Sequence, residues 1–157
     1  MSPCYVSFRI SSPPQWERLA RVVAELRRDK EAGAFRAEEE WRKLFSAEEL
    51  QFFWRPTDEE RADWKRRWEA TPVPARWTDP SLDLPWDFSS MLDGIREGEY
   101  ALLGVRSDDM QTGFLEFDPH AFPFGGTASL RALILAYGHE LLGYDDGTGF
   151  VEETGAD

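Results

Sequence analysis

The sequence predicts an α+β fold: an N-terminal helical layer, then a mostly antiparallel sheet with two packed helices in the C-terminal half. Three observations lead there. Segments 4–10, 100–106, 112–118 and 139–144 read as strands, the first alternating β-branched and aromatic residues with polar ones. Between them, apolar residues recur at helical spacings of three and four. The second half runs helix, hairpin, helix, hairpin, an order that stacks helices on antiparallel pairs.

The elements follow in order. Cys4 to Ile10 alternates, with Tyr5, Ser7 and Arg9 opposing Cys4, Val6, Phe8 and Ile10, and this strand is expected to join the sheet at an edge. Ser11-Ser12-Pro13-Pro14 ends it and opens a helix to about residue 30, with Trp16, Leu19, Val23 and Leu26 on one stripe. Gly33 interrupts, and 35–45 reads as a second helix with Trp41, Leu44 and Phe45 inward. Ser46-x-x-Glu49 and Thr57-x-x-Glu60 are capping boxes for short helices at 47–54 and 58–70. In the latter, Trp64 and Trp68 lie one turn apart around Lys65, Arg66 and Arg67, and core anchoring is favoured over stacking on single-stranded bases.

Pro72, Pro74, Pro80 and Pro85 make 71–86 a connector. Asp87 caps a helix carrying Phe88, Met91, Leu92 and Ile95, which Gly98 is placed to end. Strands at 100–106 and 112–118 flank a turn at 107–110. Thr127 caps a helix with Leu130, Leu133, Ile134 and Tyr137 inward, closed by Gly138. A strand at 139–144, a turn at 145–149 and a short return strand at 150–151 complete the chain. One domain is expected over 1–157: a helical half 1–70, the connector 71–86, an acidic α/β half 87–152 and a polar tail 153–157.

Charge divides the chain sharply. Residues 1–70 hold 14 basic and 14 acidic side chains, whereas 71–157 hold four basic (Arg76, Arg96, Arg106, Arg131) and 16 acidic, so the whole net charge of −12 sits in the second half. Such a field repels nucleic acid and favours rapid, salt-sensitive encounter with a basic partner. No run reaches the roughly 18 apolar residues of a membrane span, and the N-terminus lacks the pattern of a secretory signal. A bacterial, cytoplasmic protein with no membrane partner is expected. The single cysteine, Cys4, excludes an internal disulfide and any multi-cysteine zinc site, and no cofactor is implied.

The strings that carry chemistry elsewhere are incomplete here. Asp145-Asp146-Gly147-Thr148 follows an apolar strand, but Tyr144 stands where an Asp-x-Asp-Gly-Thr phosphatase motif needs its nucleophile, so the segment reads as a turn. His139-Glu140 has Gly143 where the second histidine of a zinc-protease motif belongs. Gly125-Gly126-Thr127 before a helix is a weak anion-binding signal among acids. His120 and His139, with Asp118, Asp145 and Asp146, are the weak candidates for a metal or a hydrolytic site, provided that loops bring them together.

With no complete catalytic set, the reading favours a binding protein over an enzyme. The function expected is an immunity or antitoxin-type inhibitor of a basic, toxin- or nuclease-like protein, the alternatives being a metal-assisted hydrolase and a non-catalytic accessory module. The partner-binding residues expected are Asp108 and Asp109 in the first hairpin turn, Asp118, Asp145 and Asp146 at strand ends, and Phe122 and Phe124 in the intervening loop.

Overall fold

The N-terminal strand occupies the middle of the sheet, not its edge. In the computed structural model, which describes residues 3–53, 57–76, 78–79, 86–121 and 126–153, β1 (Cys4–Arg9) is hydrogen-bonded on both sides. Its neighbours are β3 (Thr112–Pro119) and β4 (Glu140–Asp145); β2 (Tyr100–Arg106) and β5 (Phe150–Glu152) form the outer strands, giving the order β2-β3-β1-β4-β5. Every pairing is antiparallel. The physical reason for the central position lies in its side chains: Val6 and Phe8 are wholly buried and Ser7, between them, is buried too, which suits a strand bonded along both edges.

Registers fix which residues share a face. Val6 pairs with Leu115 and with Tyr144, and Phe8 pairs with Gly113 and with Leu141, so these side chains point to one side. That side is the core. The long helix α1 (Pro13–Ala32) lays Leu19, Val22, Val23 and Leu26 on it, and Trp16 reaches Phe8 with ring centroids 6.1 Å apart. Helices α5 (Phe88–Glu97) and α6 (Ala128–Ala136) complete the layer with Met91, Ile95, Leu130, Leu133 and Ile134. These two cross closely at Gly94, where a Cβ would overlap the Ser129 hydroxyl.

Local signals explain most boundaries. Ser12 caps α1 by accepting from the Gln15 N–H, and Gly33 ends it at φ 67°, a left-handed conformation in which its N–H returns to the helix carbonyls. Capping boxes form at Ser46/Glu49 and Thr57/Glu60, opening α3 (Ala47–Leu50) and α4 (Asp58–Ala70). Asp87 caps α5.

Other expectations are corrected. The helix read over 35–45 is one short element, α2 (Glu38–Arg42), and α3 stops at Leu50. Trp41 in α2, and Phe45 and Phe53 in the turns before and after α3, are held by ring contacts rather than by a continuous helical stripe. Gly98 ends α5 as expected, but not in a left-handed conformation (φ −59°): the Lys30 ammonium of α1 closes the helix by donating to the Ile95 and Gly98 carbonyls at 2.7 and 3.1 Å. Glycine is needed at 98 because a side chain would collide with the Tyr100 ring. Thr127 makes no side-chain cap. Trp64 and Trp68 do not anchor α4 in the core, since α4 buries no residue; the rings stack on each other at 5.3 Å, with the Arg76 guanidinium 5.4 Å from Trp68. Two tryptophans without a third apolar position on their stripe are too few to draw a helix inward. Among the described residues, no helix is long and apolar enough to cross a membrane.

Candidate protein interface

Among the described residues, the helices that pack closely on the sheet, α1 and α6, lie on the side of Val6 and Phe8. The two-residue period that sends Val6 and Phe8 inward sends Tyr5, Ser7 and Arg9 outward, and on β3 it sends Thr112, Phe114, Glu116 and Asp118 the same way. Register adds Glu140, Gly143 and Asp145 from β4, Phe150 and Glu152 from β5, and Ala101, Gly104 and Arg106 from β2.

Among the described residues, three aromatic rings lie on this face. Tyr5 and Phe114 meet edge to face at 5.2 Å, and the Arg106 guanidinium sits 4.5 Å from the Phe114 centroid. Phe150, 54% exposed, lies across Gly143, whose missing side chain leaves the room that the ring takes. None of the three belongs to the core. Ser7 is the buried centre of the face, its hydroxyl donating to the Gly143 carbonyl at 3.2 Å.

Charge on the face is unbalanced. Its strand residues include five carboxylates (Glu116, Asp118, Glu140, Asp145, Glu152) and two guanidiniums (Arg9, Arg106). Both guanidiniums are engaged internally: Arg9 with Glu140 at 3.6 Å, and Arg106 with Glu116 at 3.3 Å and Asp108 at 2.9 Å. Asp118, Asp145 and Glu152 are left with no cationic partner among the described residues.

The residues expected to bind a partner separate into two groups. Asp118, Asp145 and Asp146 gather at the end of the sheet where β1 begins; burial first, then these nearby carboxylates, push the Cys4 thiol up from its ordinary value. Asp108 and Asp109 belong to the opposite end, in the β2–β3 turn. Asp109 is a turn builder: its carboxylate accepts from the Gln111 and Thr112 N–H groups, which hold its pKa down. Asp145 and Asp146 also accept from turn amides, those of Gly147 and Thr148. Phe122 and Phe124, like Gly125, Trp54 and Trp77, lie outside the described residues.

The histidines do not converge. His120 is exposed beyond β3, level with the start of β1, whereas His139 precedes β4, level with its end, so the length of a six-residue strand, about 20 Å, separates their positions along the sheet. His139 is buried, 3% exposed, and serves the fold: its Nδ1 accepts from the Ser11 N–H at 3.1 Å and its Nε2 faces the Gln15 carbonyl at 3.3 Å. That pattern matches a neutral ring protonated at Nε2. Burial drives its pKa below the ordinary value, partly offset by the Gln15 carbonyl. Among the described residues, no group of three or more histidine, cysteine or acidic side chains is arranged to hold a metal.

Tyr5, Phe114, Phe150 and Glu116 are the residues that sequence reasoning missed. A signal was present, since Tyr5 and Phe114 alternate with core residues on strands that then carry aromatics on both faces. In comparison with known proteins, no family model, no curated protein and no solved structure matches the chain.

Proposed function

We propose that this chain is a protein-binding protein that receives a basic partner on the open face of its sheet. One observation carries the reading: an aromatic patch of Tyr5, Phe114 and Phe150 stands outside the core, bordered by the carboxylates Asp118, Asp145 and Glu152, which have no cationic partner among the described residues. Aromatic anchors give affinity when buried by a partner, and uncompensated charge at the border gives steering and selects against acidic surfaces. The narrower reading is an immunity or antitoxin-type inhibitor of a toxin- or nuclease-like enzyme in a bacterial cytoplasm. Size, acidity and a rigid five-stranded platform support it.

The test is affinity capture from the native host with the tagged chain, in parallel with the Phe114→Ala/Phe150→Ala double variant. The reading expects one basic protein, released by salt and missing from the variant's eluate. Equal recovery by both chains counts against the face, and recovery of acidic or salt-insensitive partners counts against the charge argument.

A further inference from the structure

A cavity on the helical layer has a chemistry unlike the rest of the molecule. It lies between the outer side of α1 and the turn after α2, with a volume of about 420 Å³, within the range of small-molecule sites. Glu17, Arg18 and Arg21 border it from α1 and Lys43 from the facing turn, over apolar walls that include Val22 and Leu44. Three cations and one carboxylate line it, and two of the cations carry ion pairs of their own, Arg18 with Glu49 and Lys43 with Glu40, which leaves Arg21 as the uncommitted charge among the described residues.

The three cations are not equally committed. Arg18 is fixed by the buried carboxylate of Glu49, with Nε at 2.8 Å and Nη2 at 2.6 Å, and Nη2 also faces the Leu44 carbonyl at 3.4 Å. Glu49 in turn holds Gln15 and the Ser46 N–H, so the guanidinium stands on a rigid floor. Its Nη1 makes no hydrogen bond among the described residues. Arg21 makes none and has no ion pair there either. Among the described residues Lys43 reaches Glu40 alone, at 3.1 Å, in a pair with both side chains more than half exposed, and such pairs hold weakly. A pre-set guanidinium, a second one three residues on along the same helix, and a mobile-stemmed ammonium opposite can close on an oxyanion from two sides.

We propose that this cavity binds a small organic anion, its carboxylate or phosphate head held by Arg18, Arg21 and Lys43 and its apolar portion against Val22 and Leu44. The site lies on the helical layer, apart from the open sheet face, and the proposal stands independently of the reading of that face.

The test is a titration of the isotopically labelled chain, followed by the NMR signals of the arginine Nε–H groups and the Lys43 amide. Inorganic phosphate is one probe and benzoate, a carboxylate with an apolar ring, the other. Saturable shifts at Arg18 and Arg21 are expected with at least one probe, phosphate alone marking a phosphate head and benzoate alone a carboxylate with an apolar body. The Arg21→Gln/Lys43→Gln variant is expected to bind about ten-fold more weakly or worse, a loss on the scale of one charged hydrogen bond. The Lys65→Gln/Arg66→Gln variant on α4 is expected to bind like the parent. Shifts that stay linear with both probes, or equal affinity in the Arg21/Lys43 variant, overturn the proposal.

Discussion

The two faces of the sheet are built from the same five strands and the same alternation, yet they meet different neighbours. On the inner face Val6, Phe8, Leu115 and Phe117 are fully buried under α1, α5 and α6. On the outer face Tyr5 and Phe114 meet each other and an arginine, and Phe150 lies over Gly143, beside exposed carboxylates. An aromatic ring stabilises the fold only to the extent that folding removes it from water. The inner rings therefore act on stability, the proposed function assigns the outer rings to association, and substitutions that look alike in the sequence should then separate on those two axes.

The largest separation is expected between Phe8→Ala and Phe114→Ala. The first leaves a cavity beside Trp16 and His139 and should cost about 3–5 kcal/mol in urea unfolding. The second should cost no more than about 1 kcal/mol, in the range of changes outside the core. Comparable losses would dissolve the distinction between the faces.

Glu49→Ala probes the inner side through a polar group. The carboxylate is buried, and although burial raises its pKa, hydrogen bonds from Arg18, the Ser46 N–H and Gln15 bring it below the ordinary value. Removing it strips a cap from α3 and leaves those donors unmatched, a loss of about 2–3 kcal/mol. Urea denaturation of the purified variant checks this.

His139 sharpens the comparison by pH. Its folded pKa lies below the ordinary 6.5, so the unfolded chain takes up the proton first and stability declines as pH falls through 6.5. Urea midpoints should drop between pH 7.5 and 5.5, and the ring's NMR titration should be centred below 6.5. A titration centred above 6.5 would reverse the sign and remove the buried, neutral assignment.

The smallest expected effect on stability is at the charged border. Asp118→Lys/Glu152→Lys should shift unfolding by no more than about 0.5 kcal/mol, as at other exposed positions, while weakening capture of a basic partner and flattening its salt dependence. Asp145 and Asp146 are poorer probes, because replacing them also removes the bonds that shape the β4–β5 turn.

Much of the fold was legible because local signals act over a few residues. The caps at Ser12, Ser46, Thr57 and Asp87 and the inward sets of α1, α5 and α6 follow from spacing alone. The position of β1 was not legible, since a strand's neighbours are chosen by contacts more than 100 residues away, such as Phe8 with Leu141. The closure of α5 by Lys30 escaped for the same reason. For the candidate face, composition pointed to acids in loops, and Asp118 and Asp145 do border it. It could not show that Asp108 and Asp109 stand at the far end of the sheet, nor that Tyr5, Phe114 and Phe150 share one face from three strands.

The most direct measurement is the affinity of the captured partner for the parent chain and for Phe114→Ala/Phe150→Ala, with urea unfolding of both chains alongside. A role of Phe114 and Phe150 as anchors predicts an affinity loss of about ten-fold or more, as for aromatic anchors buried at an interface, with the two unfolding curves within about 1–2 kcal/mol of each other. Unchanged affinity in a folded double variant would contradict it.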